Sequence, residues 1–240
     1  SEEFQRLGVL GDWKDPYFTM KFESEAIIAA EIGKFLMQGS LYRGSKPVMW
    51  SPVEKTALAE AEVEYSDHTS ITIFAKFKLV ECSLQELVGS FVVIWTTTPW
   101  TIPGNRALAY GEEIDYIALK ITQVSEGSLS SLGEVVVISE KLLENICSQC
   151  GIMDYEPLQR IKGYQFKGSI AKHPMADAGY DYPVPMLAGD YVTTEQGTGF
   201  VHIAPGHGPE DYELAHLQHG IPVPDTVNEN GTLMEQLPLF

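Results

Sequence analysis

The stretch VVIWTTTPWTIPGN places several hydroxyl side chains at the end of an apolar run. The β-branched and aromatic residues of Phe91–Trp95 predict a buried strand. Thr96, Thr97 and Thr98 follow directly at its exit. Hydroxyls at such a position either cap the turn that ends the strand or orient a small polar substrate and a water molecule. These residues alone leave both interpretations open.

A second stretch, GTGFVHIAPGHGPEDYELAH, has the pattern of a strand, a turn and a helix. Gly197 and Gly199 flank Thr198 and allow a close approach of the backbone to a neighbouring group. The apolar run Phe200–Ile203 then predicts a short strand. The glycines of Pro205–Gly208 predict a turn that leads into a helix beginning near Pro209.

Two side chains of this second stretch could contribute to a binding site. Glu210 and Asp211 fall in the first turn of the predicted helix, where a carboxylate either stabilises the helix dipole or receives a substrate ammonium. His202 lies on the predicted strand just before the turn. It is either a core histidine with satisfied hydrogen bonds or a polar group of the same site.

The charge of the chain limits the partners that it can bind. The 240 residues carry a formal net charge of −17, and 44% of them are hydrophobic. The size predicts one large domain, or one domain with a small appendage. An acidic chain is not expected to grip a nucleic-acid backbone. If a nucleic acid is the partner, we expect contact with only a small part of it.

The sequence indicates neither a metal-binding site nor a membrane-spanning segment. The chain has three cysteines, a small odd number that indicates a reducing, cytoplasmic location. Cys147 and Cys150 have the spacing of half a zinc site, but His173, His216 and His219 do not complete a familiar pattern. We therefore expect no bound metal. No apolar run approaches the length of a membrane span, and no membrane partner is expected.

Short strands with few helices between them predict an α+β, mostly β fold, specifically an antiparallel β-barrel with a few peripheral helices. Helices are predicted over 23–38, from Ser139 and from about Pro209 to His219. Ser125–Gly133 reads as the tip of a hairpin. The predicted strands are Ser70–Val80, Phe91–Trp95, Tyr116–Ile121, Val135–Ile138, Ser169–Ala171, Tyr191–Thr194 and Phe200–Ile203.

Taken together, WTTTPWTIPGNRALAY and GTGFVHIAPGHGPEDY resemble the two signature segments of the editing domain (CP1) of isoleucyl-tRNA synthetase, a class I aminoacyl-tRNA synthetase. FQRLGVLGDWKDPYFTM and LYRGSKPVMWSPVEKTALAEAEVEY extend the resemblance over essentially the whole chain. The valyl and leucyl enzymes have an arginine in place of Thr98 and an acidic residue in place of Trp100. These two positions favour the isoleucyl enzyme.

The resemblance also implies what this chain lacks. No segment resembles HIGH or KMSKS, so the aminoacylation site, which uses ATP and Mg²⁺, is expected to lie outside it, and no cofactor is expected here. We therefore expect an insertion excised from a larger synthetase. Residues 1–45 would be a largely helical connecting segment, and residues 46–240 the editing β-barrel.

The function that the resemblance implies is the hydrolysis of Val-tRNA(Ile) by water, with isoleucine excluded by its size. The partners would be the acylated 3′ CCA end of tRNA(Ile), valine as the released amino acid and the rest of the parent synthetase, with the chain itself a monomer. The acidic charge is compatible with this, because other domains would hold the body of the tRNA.

The resemblance assigns roles to the strand exit. Thr96, Thr97 and Thr98 would hold the terminal adenosine and the reacting ester and help to place the attacking water. Trp100 and Thr101 would line the pocket that selects side chains by size.

It assigns the remaining roles to the second stretch and to one loop residue. His202 would border the size-selecting pocket, and Asp211 would take the α-ammonium of the valyl group. Asn105 would support the loop. The turn of Gly197, Thr198 and Gly199 would approach the substrate.

Two other functions remain open from the sequence. The first is a module that binds the 3′ end of tRNA without cleaving it. The second is a metal-dependent hydrolase built on Cys147, Cys150 and a histidine.

Overall fold

The computed structural model describes residues 1–238, and the chain divides into two compact units, Ser1–Ser45 and Lys46–Phe240. The first unit contains helix α1 (Glu2–Arg6) and helix α2 (Phe22–Met37). Helix α2 confirms the helix predicted over 23–38, and Gly39 follows it with a positive φ of 76°. No side chain of either helix is buried.

The second unit is built on one large mixed sheet and one small hairpin. The hairpin pairs β1 with β2 in antiparallel fashion. The large sheet has the strand order β11-β5-β10-β9-β3-β4-β7-β6-β8. The strands are β1 Trp50–Ser51, β2 Thr56–Ala57, β3 Ile73–Glu81, β4 Phe91–Thr96, β5 Ala107–Tyr110, β6 Asp115–Val124, β7 Val135–Ser139, β8 Ile152–Lys162, β9 Ile170–Lys172, β10 Pro183–Ala188 and β11 Phe200–Ile203.

The mostly β composition is confirmed, but the predicted antiparallel barrel is wrong. Strand β4 pairs with β7 in parallel, as does β5 with β10, whereas the other pairs are antiparallel. Within residues 1–238 the sheet is open, with β11 and β8 at its edges. Parallel pairing joins strands that are distant in sequence, and the local alternation of apolar residues carries no record of it.

The strand predicted at Tyr191–Thr194 is also wrong. This segment forms a turn, in which the Val192 N–H donates to the Gly189 carbonyl at 3.2 Å. Strands β1, β2, β5, β8 and β10 were not predicted. Strand β10 begins with a proline, which usually ends or borders a strand, and Pro157 interrupts β8 at an irregularity in its register with β6.

Helix α3 (Leu143–Cys150) follows a short 3₁₀ turn, Glu140–Leu142, and confirms the helix predicted from Ser139. Helix α4 (Pro209–Asp211) continues as a π-helical segment, Tyr212–Gln218. The predicted hairpin tip, Ser125–Gly133, connects β6 to β7 as expected.

The hydrophobic core fixes the position of strand β11, which carries His202. On one face of β11, Phe200 stacks on Tyr116 with ring centroids 4.4 Å apart. Because side chains alternate along a strand, His202 lies on the same face as Phe200. On the opposite face, Ile203 packs against Leu214 of the π-helical segment. Strand β11 is therefore fixed on both sides, and so is the place of His202.

Candidate functional site

The exit of β4 is a compact cluster of threonine hydroxyls. The Thr98 N–H donates to Thr96 Oγ1 at 3.1 Å, and the Thr101 hydroxyl donates to the Thr98 carbonyl at 2.8 Å. The chain then continues as a 3₁₀ helix, Pro99–Gly104. Two of the hydroxyls therefore do cap the strand end, as one of the two sequence interpretations predicts.

The Thr98 hydroxyl is different, because its own contacts are long. It lies 3.3 Å from Thr96 Oγ1 and 3.4 Å from Thr101 Oγ1. Good hydrogen bonds between hydroxyls are 2.5–3.0 Å long. The half-buried Thr98 hydroxyl is therefore free to exchange these contacts for a bond to a substrate or a water.

Thr97 and Trp100 face solvent beside this cluster. Thr97 is exposed, and its carbonyl accepts a hydrogen bond from the Ser70 hydroxyl at 2.8 Å. Trp100 is 51% exposed, although the four residues that follow it in the 3₁₀ segment are all buried. An indole this open offers an apolar wall to a bound molecule.

His202 ties the 3₁₀ segment to β11. Asn105 Nδ2 lies 3.0 Å from His202 Nδ1, and His202 Nε2 lies 2.7 Å from Thr101 Oγ1. The Asn105 amide nitrogen also donates to the Ala107 carbonyl at 2.8 Å, which fixes the orientation of the amide. Since an amide nitrogen can only donate, His202 Nδ1 accepts, and the proton lies on Nε2 and points to Thr101.

His202 is neutral and both of its ring nitrogens are occupied. Burial is the largest cause of a lowered pKa, His207 and His173 also lower it, and together they bring the pKa of His202 to about 4. A neutral imidazole whose only free lone pair accepts from Asn105 has no site left to take a proton from water. In this arrangement His202 holds Thr101 in place. Asn105 Oδ1 is buried and lacks a donor within the described part of the chain.

Asp211 lies in the first helical turn and is partly anchored. Its Oδ2 accepts the Ala204 N–H at 2.8 Å. Burial raises the pKa of this carboxyl, the bond from Ala204 opposes the rise, Glu210 adds to it, and the net pKa is about 6. The ionised carboxylate is thus held in an unfavourable environment, which a bound cation would relieve. Asp211 makes no hydrogen bond to the threonine cluster among the described residues.

The glycine turn packs against β7 and not against the threonines. The Ser139 N–H donates to the Thr198 carbonyl at 2.8 Å, and Thr198 is 0% exposed. Gly197 and Gly199 have positive φ values of 79° and 83°. A Cβ added to Gly199 would lie 2.6 Å from Ser139 Cβ. The turn therefore has a structural explanation, and Thr198 offers no surface to a ligand.

His173 and Tyr182 also contact the 3₁₀ segment and its C-terminal end, and neither contact was predicted from the sequence. His173, which the sequence leaves isolated, places Nε2 3.0 Å from the Ile102 carbonyl. The hydroxyl of Tyr182 donates to the Asn105 carbonyl at 2.8 Å. The only local signal is a polar residue directly after the short strand β9, which does not reveal a partner about 70 residues away.

The cysteines lie apart from this site. Cys147 is buried and Cys150 half-buried, and burial raises the pKa of both thiols, that of Cys150 to about 11. No group of three His, Cys, Asp or Glu side chains within residues 1–238 is arranged to hold a metal ion. A cavity of about 460 Å³ beneath the β6–β7 hairpin is lined partly by Cys150 and includes none of the predicted site residues.

None of the helices described in residues 1–238 combines the length and the apolar character that crossing a bilayer requires.

The chain matches known proteins over nearly its whole length. Residues 1–222 match the family described as tRNA synthetases class I (I, L, M and V). The isoleucine–tRNA ligase of Pelagibacter ubique is 51% identical over 99% of this chain and 26% of its own length. That of Gluconobacter oxydans is 48% identical over 99% of this chain and 25% of its own length. The chain thus spans about a quarter of these relatives.

Solved structures give weaker matches. A crystal structure of GlLeuRS-CP1 is 18% identical, with 63% of each chain covered and a TM-score of 0.47. The editing domain of the cytosolic leucyl-tRNA synthetase of P. falciparum is 19% identical over 51% of this chain and 44% of that one, with a TM-score of 0.41. The sequence matches alone decide the family. They confirm the expected resemblance to isoleucyl-tRNA synthetase, and the chain belongs to the class I tRNA synthetase family.

Proposed function

We propose that this chain edits mischarged tRNA by hydrolysing the ester of Val-tRNA(Ile), and that it leaves Ile-tRNA(Ile) intact because isoleucine is too large for the site. The proposal joins the family membership and the resemblance of the two signature segments to the geometry at the exit of β4.

The observation that carries the proposal is the free hydroxyl of Thr98 within a fixed frame. The hydroxyl of Thr101 and the N–H of Thr98 are engaged, whereas within residues 1–238 the Thr98 hydroxyl has only contacts of 3.3 and 3.4 Å. A preorganised hydroxyl at a half-exposed site can orient an ester or a water with little reorganisation. Thr96 and Thr97 flank it and would contact the terminal adenosine and ribose.

Asp211 is proposed to bind the α-ammonium of the amino acid. Its raised pKa means that the carboxylate lacks the partners that a stable ion pair would supply. Only one of its oxygens accepts a hydrogen bond from the described residues, the one bonded to Ala204. An ammonium on the other oxygen would form a charge-assisted bond and fix the direction of the ester.

The proposed chemistry needs no protein base. The aminoacyl ester is already activated, and His202 has no lone pair free to accept a proton. Positioning of the water near the ester, with help from the vicinal ribose hydroxyl of the tRNA, supplies the barrier reduction. The water adds to the ester carbonyl, the C–O bond to the ribose breaks, and the ribose oxygen leaves with a proton as free valine is released.

Size selection is proposed to depend on Trp100 and Thr101. One methylene separates isoleucine from valine, and a hydrophobic pocket gains only about 1–3 kcal/mol from one methylene, for which isoleucyl-tRNA synthetase is itself a standard illustration. A second site that excludes the larger side chain by steric conflict corrects the resulting errors. Thr101 is suited to form such a wall because His202 holds it at 2.7 Å.

The proposed partner is the acylated 3′ end of tRNA(Ile), together with the rest of the parent synthetase. A net charge of −17 suits a domain that receives only a flexible single-stranded end. We propose no cofactor for this step, because ATP and Mg²⁺ serve aminoacylation elsewhere in the parent enzyme.

The test is a direct comparison of two substrates. The chain is incubated with Val-tRNA(Ile) and with Ile-tRNA(Ile), and the release of each amino acid is measured over time. We expect release of valine but not of isoleucine above the rate without protein. Release of neither would overturn the proposal and favour a module that only binds tRNA ends, provided that binding is observed. Loss of turnover with a chelator would favour the metal hydrolase.

A further inference from the structure

The 3₁₀ segment Pro99–Gly104 is held by two histidines from different parts of the sheet. His202 on β11 contacts the side chain of Thr101 at 2.7 Å. His173, directly after β9, contacts the backbone carbonyl of the next residue, Ile102, at 3.0 Å. The two imidazoles therefore hold consecutive residues of the segment that carries Trp100.

The direction of the His173 hydrogen bond follows from its second contact. The Met175 N–H donates to His173 Nδ1 at 3.1 Å, so Nδ1 carries no proton. In the neutral ring the proton is then on Nε2, which donates to the Ile102 carbonyl. Burial lowers the pKa of His173, the bond to Ile102 raises it, and Arg106 lowers it, which keeps the ring neutral near pH 7.

The ring of His173 is also fixed by packing. It stacks on Tyr180 with centroids 5.0 Å apart and an interplanar angle of 20°, and it meets the edge of Phe77 at 6.0 Å and 80°. His173 is only 2% exposed. A donor held this rigidly transmits its own position to the carbonyl that it binds.

Without His173, the Ile102 carbonyl would keep only one local hydrogen bond among the described residues. That bond comes from the Asn105 N–H at 3.0 Å, within the same turn. The 3₁₀ geometry gives weaker hydrogen bonds than an α-helix. The segment would therefore lose the hydrogen bond that ties it to the residue following β9, while the bond from His202 to Thr101 remained.

We propose that His173 is a positioning residue for size selection: through the Ile102 carbonyl it sets the position of the wall formed by Trp100 and Thr101. The inference rests on the proposed editing function. Since the two amino acids differ by one methylene, a small outward shift of this wall admits isoleucine. His173 itself touches neither the substrate nor the water.

Two substitutions separate the hydrogen bonds of His173. His173→Asn keeps an acceptor near Nδ1 for the Met175 N–H but has no group that reaches Ile102. His173→Gln carries an amide nitrogen that reaches the position of Nε2 and can donate to the Ile102 carbonyl. Both variants lose the stacking on Tyr180, so both are expected to be less stable. Their stability therefore does not distinguish them, whereas their substrate selection does.

The measurement is the ratio of deacylation rates for Ile-tRNA(Ile) and Val-tRNA(Ile). We expect His173→Asn to raise this ratio about 10-fold or more, the size of a one-methylene effect, and His173→Gln to keep it near that of the unmodified chain. Tyr180→Phe serves as a control, because it keeps the stacked ring and loses only the hydroxyl that donates to the Pro238 carbonyl. It should change stability without changing the ratio.

The outcomes separate this inference from the proposed function. If the unmodified chain does not release valine, the proposed function fails, whatever the variants do. If the unmodified chain is selective and folded His173→Asn is equally selective, the role of His173 is overturned. Should His173→Asn not fold, His173→Phe decides, because it keeps an aromatic ring beside Tyr180 but has no donor for the Ile102 carbonyl. A raised ratio in the folded His173→Phe protein supports the inference, and an unchanged ratio overturns it.

Discussion

At the scale of single residues, the hydrogen bonds decide what the residue types leave open. The sequence allows His202 to be either a core histidine or a site residue, and the structure gives it features of both. It is buried and fully hydrogen-bonded, yet its partner is Thr101, which belongs to the proposed wall. Asp211 shows the reverse pattern, because its environment disfavours the charge that the proposed role requires.

Asp211→Asn tests whether the buried carboxylate binds the α-ammonium of the substrate. An asparagine can still accept the Ala204 N–H through Oδ1, but it cannot pair with an ammonium. We expect deacylation of Val-tRNA(Ile) to fall by about two orders of magnitude or more, because a misplaced ester reacts slowly. The free energy of unfolding at pH 7.5 should rise, since the variant no longer buries a carboxylate. Deacylation rates and urea titrations measure the two effects.

The matched control is Glu210→Gln, which removes the neighbouring exposed carboxylate from the same helical turn. It should leave deacylation nearly unchanged. Equal rates for Asp211→Asn and the unmodified chain would show that Asp211 does not read the amino group. N-acetyl-valyl-tRNA, which has no ammonium, should also be a poor substrate for the unmodified chain.

His202→Ala tests whether the contact of His202 with Thr101 contributes to the exclusion of isoleucine. The change leaves the Asn105 amide with fewer partners in a buried site and frees the Thr101 side chain, so we expect a loss of about 1–3 kcal/mol in the free energy of unfolding. It also opens space beside Thr101, and the folded variant should begin to hydrolyse Ile-tRNA(Ile). If stability falls while Ile-tRNA(Ile) stays intact, His202 is a core residue without a part in selection.

At the scale of secondary structure, the sequence predicts an element when its pattern is local. Strands β4 and β11 and helices α2 and α3 were predicted within a few residues, because each has a clear apolar pattern and a clear end. Strand β10 was missed, because Pro183 and Pro185 indicate a loop. The pairing of β4 with β7 could not be predicted, since nothing in either strand specifies a parallel partner.

The same limit applies to the site. Its threonines, His202 and Asp211 were predicted from two short stretches and from the family resemblance. The contact of His173 with Ile102 was not, because it depends on β9 lying beside β3 and β10 in the sheet. A hydrogen bond to a backbone carbonyl leaves no pattern in the residue that carries the carbonyl.

The glycine turn before β11 gives a prediction at this scale. Gly199 has a φ of 83°, and a Cβ there would lie 2.6 Å from Ser139 Cβ and 3.2 Å from the ring of Tyr116. Gly199→Ala therefore combines backbone strain with a clash in the core. We expect a loss of several kcal/mol, on the order of 3–5, in the free energy of unfolding. Urea titration measures it.

Gly127→Ala is the matched control, since Gly127 has a φ of 81° but no atom within 4 Å of an added Cβ. It should lose only the part that comes from backbone strain, about 1 kcal/mol. Equal losses for the two variants would mean that the packing of the turn against β7 does not restrict residue 199.

At the scale of the whole molecule, the buried titratable groups near the site act on stability in opposite directions. His202, His173 and His207 have lowered pKa values, so the unfolded chain binds more protons than the folded chain below the ordinary histidine value of 6.5. Their contribution is complete above pH 6.5 and is lost as the pH falls. Asp211 has a raised pKa, so the folded chain gains stability as the pH falls through about 6.

The last prediction isolates these opposing effects by comparing stability at two pH values. For Asp211, with a pKa of about 6 in the folded chain against 3.8 in the unfolded chain, acidification from pH 7.5 to 5 contributes about 1–1.5 kcal/mol of stabilisation. Over the same range His202, with a pKa of about 4, contributes a loss of about 2 kcal/mol. Asp211→Asn removes the stabilising part and leaves the histidines unchanged. Its free energy of unfolding should therefore fall more steeply than that of the unmodified chain, by about 1–1.5 kcal/mol over this interval. Urea titrations at both pH values test this, and parallel pH profiles would show that the carboxyl of Asp211 ionises normally in the folded protein.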